Sequence, residues 1–525
     1  VLQDCKMKKE FNLIATAAAG LEAVVGREVR ELGYDCQVEN GRVRFQGDVK
    51  AIIETNLWLR AADRIKIVVG SFPAKTFEEL FQGVFALDWE NYLPLGARFP
   101  ISKAKCVKSK LHNEPSVQAI SKKAVVKKLQ KHYARPEGVP LMETGPEFKI
   151  EVSILKDVAT VMIDTTGSSL FKRGYRTEKG GAPIKENMAA AILQLSNWYP
   201  DKPLIDPTCG SGTFCIEAAM ISRKMAPGLR RSFAFEEWNW VSDRLIQEVR
   251  TDAAKKIDRE LELDIMGCDI DARMVEIAKA NAQAAGVAGD ITFKQMRVQD
   301  LRSDKVNGVI ISNPPYGERI STPNLLGTYK MIGERLKHHF MGNEAWILSY
   351  REECFRQIGL KPSIKIPVYN GSLECEFRRY QMFDGKMSDF RHEGGVVKTE
   401  DEKREMAQKH RFKKEREFKK RLDENEENAE ADIRSFTFHS LERNKFAGGK
   451  FREDRERRPR FDRDVEDRKR SFRRGDDDRK RSFRRDDDRK RSFSRDDDRK
   501  FGGKRFDKSN KRGGFRGKNT YNHED

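Results

Sequence analysis

The spacing of apolar residues changes repeatedly along this chain, and each change marks a new element. Residues 11–17 (FNLIATA) form a short apolar run that predicts a strand. Leu21, Val24, Val25, Val29 and Leu32 then fall at helical spacing, and Gly33 supplies a helix stop. Two short runs flank Asn40-Gly41, a dipeptide that signals a hairpin. Residues 51–63 predict a second helix. Together these elements make a β-α-β-β-α unit over residues 8–70. Residues 1–7 read as an N-terminal extension, with Met7 a candidate start.

A second α/β unit is expected over residues 71–167. Residues 77–87 are amphipathic, and residues 97–111 predict a strand that runs into Lys103, Lys105, Lys108 and Lys110. Residues 115–133 predict a helix with a cationic face, and residues 149–167 read as two strands joined across Lys156-Asp157. One exposed lysine only aids solubility, but several near one strand and one helix suit RNA or another polyanion.

From residue 168 to 385 strand-like and helix-like stretches alternate, beginning with a helix after Pro183. PLID, LDIMGCD, ITFKQM, GVIISN and AWILSY are the strand candidates, separated by helical segments. That alternation predicts a parallel sheet with crossover helices. Asn370-Gly371 between two apolar runs predicts a closing antiparallel hairpin. Residues 227–262 form a long gap between two strands, holding Trp238 and Trp240. An extra helix or lid is expected there, with the tryptophans in core packing.

The periodicity ends near residue 386. Residues 401–445 keep helix-like charge spacing, and DDDRKRSF-type near-repeats follow with Ser471, Ser482 and Ser492 each before a Phe. Isolated Phe residues among alternating charge blocks cannot bury enough surface to offset chain entropy, so residues 386–525 are expected to be a mostly disordered tail.

Charge sharpens this division. The chain carries +19 overall. From Arg391 onward there are 45 basic and 33 acidic residues, against 57 and 50 before it. A mildly basic body with a densely charged tail points to an anionic partner, nucleic acid first. The eight cysteines form no CxxC pair and His is sparse, so no metal site is expected. Most sit in apolar stretches, as thiols do in a reducing cytoplasm. No apolar run reaches membrane-spanning length.

The candidate chemistry lies at strand ends. In DPTCGSGTF a short strand ends at Asp206 and a turn with Gly210 and Gly212 opens a helix. No Gly-Lys-Ser/Thr follows, which rejects a P-loop. A dinucleotide fingerprint matches in part, with Cys215 where a third Gly belongs. A nucleoside-amino-acid site of the kind S-adenosylmethionine enzymes use fits the same strand-turn-helix, and so does an ordinary turn. In GCDID, Asp269 comes first after the next strand and suits ribose hydroxyls, while Asp271 suits the N-cap of the following helix. Asp300 follows the third strand and is a candidate acceptor for an adenine amine.

Asn313-Pro314-Pro315-Tyr316 follows the fourth strand. An exocyclic amine is a poor nucleophile because its lone pair is delocalised. Two acceptors on its protons favour a pyramidal nitrogen that presents the lone pair. The Asn313 side-chain carbonyl and the Pro314 backbone carbonyl suit that task, and the prolines hold their geometry. Tyr316 is placed to stack on a base, a contact worth roughly 1–3 kcal/mol.

With DPTCGSGTFCIE, GCDID and NPPYGERI in this order, and FKRGYR upstream and NGSLECEF downstream, residues 8–385 resemble class I S-adenosylmethionine-dependent rRNA methyltransferases with an N-terminal THUMP domain. In particular they resemble one half of the large-subunit rRNA guanine-N2 methyltransferase. The resemblance implies a ferredoxin-like segment at 8–70, a THUMP RNA-binding domain at 71–167, and a Rossmann-like methyltransferase domain at 168–385. It implies S-adenosylmethionine as cofactor, held by Asp206, Thr208, Gly210, Gly212, Asp269, Asp271 and Asp300. It implies ribosomal RNA as partner, with the target amine at Asn313 to Tyr316. NPPY alone does not separate guanine-N2 from adenine-N6, in RNA or DNA. A non-catalytic RNA-binding assembly factor is the rival of another class, though intact acceptors and glycines argue against it. Oligomeric state is not legible.

Overall fold

The computed structural model describes residues 10–136, 139–176, 183–315, 317, 324–371 and 373–383. Tyr316, the N-terminal extension and the charged tail lie outside the described residues.

The first described elements are β1 (Phe11–Thr16), α1 (Glu22–Glu31), β2 (Cys36–Glu39), β3 (Arg42–Gly47), α2 (Val49–Trp58) and β4 (Arg64–Pro73). Asp48 caps α2 by accepting from the Ala51 N–H at 3.0 Å. Then come α3 (Phe77–Ala86), β5 (Ile101–Val107), α4 (Glu114–His132), β6 (Ile150–Leu155) and β7 (Val158–Asp164). All seven strands share one sheet, ordered β2-β3-β1-β4-β7-β6-β5, antiparallel except for the β5–β6 pair. Lys156 and Asp157 both take positive φ (50° and 62°), the geometry that lets a two-residue turn join twisted strands.

The expected boundary between the first two units, at 70/71, falls inside β4. This ten-residue strand pairs with β1 through its first residues and with β7 along most of its length. Its register shifts between Val68 and Gly70, and a Cβ at Gly70 would lie 2.4 Å from Leu87 Cδ2. A glycine at this bulge lets the strand bend while the two units continue one sheet.

The second sheet follows α5 (Glu186–Leu195). It runs through β8 (Leu204–Asp206), α6 (Thr213–Ser222), α7 (Asp243–Lys255), β9 (Ile265–Asp269), α8 (Ala272–Ala285), β10 (Ile291–Gln295), β11 (Val309–Ser312), α9 (Leu325–His339), β12 (Glu344–Ser349), α10 (Glu352–Ile358), β13 (Ile364–Asn370) and β14 (Leu373–Gln381). Its order is β10-β9-β8-β11-β12-β14-β13. The first five are parallel, and β14 is antiparallel to both β12 and β13. Every residue of β8 and β11 is buried, as expected of central strands covered on both faces. On β11, Val309 and Ile311 join one apolar cluster and Ile310 the other. Strand order reverses between β8 and β11, which makes their C-terminal ends the switch point where ligands bind in open α/β sheets.

The gap after α6 holds α7, and its tryptophans fix the two sheets to each other. Trp238 is 1% exposed, stacks on Phe148 and donates to the Glu147 carbonyl at 3.1 Å. Trp240 stacks on Phe11 and donates to the Tyr92 carbonyl at 3.1 Å. The core role expected of both residues is what they have, and that core belongs to the junction rather than to a lid. Buried Arg173 of FKRGYR reaches the Arg60 carbonyl at 2.5 Å, fastening the connector to the first unit.

Candidate functional site

Asp206, Thr208, Gly210, Gly212, Asp269 and Asn313 gather at the C-terminal ends of β8, β9 and β11. The Asp269 carboxylate accepts from the Gly210 N–H at 3.0 Å and from the Asp271 N–H at 2.9 Å. It thereby joins the glycine turn to the end of β9 and keeps lone pairs to spare. Thr208 Oγ1 lies 2.8 Å from Ser312 Oγ, which ties the same turn to the end of β11.

The two glycines serve different needs. Gly210 has φ 53°, and a Cβ built on it would meet only Met274 Cε, at 4.0 Å. Gly212 has φ 80°, and its Cβ would press on Phe293 at 2.9 Å and Ala278 at 3.0 Å. The first keeps backbone open to a ligand. The second lets α6 pack closely against β10 and α8.

Asp206 is 2% exposed and accepts the Thr208 N–H at 3.1 Å. Burial pushes its carboxyl up to about 8; the Thr208 N–H pulls the other way, and the neighbouring Asp269 carboxylate adds to the rise. A carboxyl so held is a poor anion until a cation arrives beside it. Burial also raises the thiols of Cys209, Cys215 and Cys268, which makes them inert packing groups.

Asn313 follows β11 directly. Its Oδ1 is buried and has no hydrogen-bond partner among the described residues. A buried carbonyl without a donor is costly, and in a native protein it needs a reason. Pro314 is buried and Pro315 half-buried, so backbone rigidity and packing both hold this acceptor.

Two other residues sit differently. Asp271 caps α8, accepting the Arg273 N–H at 3.0 Å and pairing with the Arg273 guanidinium at 3.0 Å. Both its oxygens therefore serve its own helix, which favours the capping alternative over a ligand contact. Asp300 ends a 3-10 turn after β10 and is exposed. Lys103, Lys105, Lys108 and Lys110 are all exposed on or just after β5, an edge strand of the first sheet. None of the four pairs with a carboxylate among the described residues, whereas Lys122 and Lys128 on α4 pair with Glu143 and Glu90.

Comparison with known proteins gives the frame for this arrangement. Residues 173–379 match an RMKL-like methyltransferase domain, residues 12–66 an RlmL ferredoxin-like domain, and residues 74–164 a THUMP domain. YpsC of Bacillus subtilis (strain 168), whose name assigns it to the RNA methyltransferases, is 45% identical over 376 residues, covering 71% of this chain and 96% of YpsC. The chain belongs to this family of THUMP-containing, RMKL-like methyltransferases.

Two solved structures agree with the methyltransferase assignment. SMU.472, titled a methyltransferase and complexed with SAH, is 60% identical, covers 72% of this chain and all of its own, and superposes with TM-score 0.69. A Listeria monocytogenes str. 4b F2365 protein, titled an N6-adenine-specific DNA methylase, is 47% identical, covering 71% of this chain and 97% of its own, with TM-score 0.68.

Two further residues, not singled out as site candidates from the sequence, stand beside this turn. Arg176, in FKRGYR, reaches the glycine turn: its guanidinium donates to Ser211 Oγ at 3.2 Å, Thr213 Oγ1 at 3.0 Å, Glu186 at 2.9 Å and the Ile184 carbonyl at 3.0 Å. Ile270 directly follows Asp269 and is 66% exposed. An exposed large apolar side chain beside a carboxylate at a strand end was the signal, and GCDID contained it.

Proposed function

We propose that this protein transfers a methyl group from S-adenosylmethionine to the exocyclic amine of an RNA base, namely N2 of a guanine in 23S ribosomal RNA. The observation that carries the reading is the Asn313 Oδ1 just after β11, buried and without a partner among the described residues, with the Asp206–Gly210–Asp269 turn tied to the end of the same strand through Thr208 and Ser312. The RNA name of YpsC, the THUMP match and the lysines on and just after β5, without a carboxylate partner among the described residues, support RNA over DNA as substrate. The SAH-bound relative supports the cofactor.

S-adenosylmethionine supplies a sulfonium-bound methyl open to in-line attack. Asp269 would hold the ribose hydroxyls with the lone pairs left over from Gly210 and Asp271. Ile270 would cover one face of the adenine, and Asp300 would accept its amine. Asp206, held neutral by burial, would give up its proton when the positive end of the cofactor enters. The target base would be unstacked into the site and stacked on Tyr316. Asn313 Oδ1 and the Pro314 carbonyl would take the two amine protons as hydrogen bonds, turning the nitrogen lone pair toward the methyl.

The test is methyl transfer from labelled S-adenosylmethionine to total rRNA from a deletion strain. Labelling of that rRNA, with none for wild-type rRNA or DNA, is expected. Labelling of DNA alone would favour the adenine-N6 DNA reading suggested by the Listeria relative's title. No labelling of either would return the chain to the RNA-binding assembly-factor class.

A further inference from the structure

A cleft opens beside the site where three segments meet: the loop after β1, the start of α5, and the tip of the β13–β14 hairpin. Ala18, Lys185, Asn187, Tyr369 and Asn370 line it. Its position follows from sheet register. β14 runs antiparallel to β12 with Glu376 opposite Ser349, so the Asn370–Gly371 tip lies at the sheet edge where β8, β9 and β11 also end. The start of α5 lies beside the glycine turn, because Arg176 bonds to Glu186 and Ile184 on one side and to Ser211 and Thr213 on the other. The third wall is held close by Gly20, whose Cβ would lie 2.8 Å from the Pro367 carbonyl.

The chemistry of the lining is that of a nucleotide site. Asn187 is 97% buried, being 3% exposed, and its Nδ2 donates to Asp63 Oδ1 at 3.1 Å. Its Oδ1 is buried and has no partner among the described residues. That is an acceptor waiting for an N–H donor, the same signature as Asn313. Tyr369 also lines the cleft and is 37% exposed, an aromatic side chain open to a ligand. Lys185 is exposed, with its Nζ 5.1 Å from the centre of the Phe171 ring. Among the described residues lining the cleft the carboxylate is Asp63, which has an oxygen engaged by Asn187.

We propose that this cleft holds a nucleotide of the substrate RNA adjacent to the methylated one: Tyr369 stacks on its base, Asn187 Oδ1 accepts from the base edge, and Lys185 meets its phosphate. The proposal rests on the RNA methyltransferase reading above and extends it to how the strand is positioned. It also gives NGSLECEF a task, since Tyr369 and Asn370 stand at the hairpin turn this motif forms.

The test uses the full chain and measures methyl transfer to rRNA of a deletion strain, with KM for RNA, kcat and cofactor Kd determined separately. Tyr369→Ala and Lys185→Gln are compared with wild type, and Tyr369→Phe serves as the conservative variant. Tyr369→Ala should raise KM for RNA about tenfold, with cofactor Kd unchanged and Tyr369→Phe near wild type. Lys185→Gln should raise KM less and flatten its salt dependence. An unchanged KM in both variants overturns the subsite. So does a parallel loss of cofactor affinity, or a loss that Tyr369→Phe fails to restore. Wild-type protein that labels no RNA would instead bring down the functional reading itself.

Discussion

The two turns at the switch point differ in one respect that divides their work. In the glycine turn, Asp206 and Asp269 are both met by backbone N–H groups of the protein itself. In the turn after β11, Asn313 Oδ1 is buried and unmet among the described residues. A satisfied network keeps one shape whether or not a ligand is bound. A buried acceptor without a donor stores a cost that the right donor relieves, so its affinity is concentrated on the group it is shaped for. On the function proposed above, the first turn holds the cofactor, and the second selects and activates the target amine.

The largest effect that breaks this contrast is expected at Asn313. Asn313→Ala removes the acceptor and should lower kcat by roughly 10²–10³, the range for loss of one preorganised polar group, while cofactor Kd stays near wild type by calorimetry. Equal loss of cofactor binding would merge the two turns into one site. Asp269→Ala should do the reverse. Cofactor affinity should fall about 10–100-fold, because the loss of a hydrogen-bonded charge costs about 1.5–3 kcal/mol, and kcat at saturating cofactor should fall far less.

Asp206 sharpens the comparison through pH. Its folded carboxyl is raised from the usual 3.8 to about 8. The folded state therefore binds this proton more tightly than the unfolded chain. The resulting penalty is absent below about pH 4, grows as pH rises, and is complete above about pH 8. Asp206→Asn should accordingly raise the melting temperature at pH 8.5, by roughly 2–4 °C per kcal/mol relieved, and have little effect at pH 4. On the proposed placement of the cofactor, its positive charge would lower this carboxyl, so its binding should release a proton and tighten between pH 6 and 8. A pH-independent Kd across that window would contradict the role given to Asp206. The smallest effect is expected for Ile270→Ala, a several-fold rise in cofactor Kd from lost apolar contact, with kcat unchanged.

Much of this was legible in the sequence because it is local. Period changes located strands and helices, and strand ends located Asp206, Asp269 and Asn313. What escaped was non-local or short. No local pattern says that β4 will pair with both β1 and β7, so a boundary drawn at residue 70 cut through a shared strand. The seven-residue helix α10 spans too few turns to show a period. Arg176 stood in a connector, and only folding brings it onto Ser211 and Thr213. Asp271 shows the opposite lesson. Its place before ARMVEIAKAN already suggested the N-cap, and the helix keeps both its oxygens.

The central claim is that the turn after β11 holds an amine. Its most direct test is mass spectrometry of nucleosides from deletion-strain rRNA treated with this protein and methyl-deuterated S-adenosylmethionine. The account predicts deuterated N2-methylguanosine. Deuterated N6-methyladenosine would keep the clamp and overturn the choice of base. A deuterated methyl on a ring carbon or a ribose oxygen would contradict the claim outright.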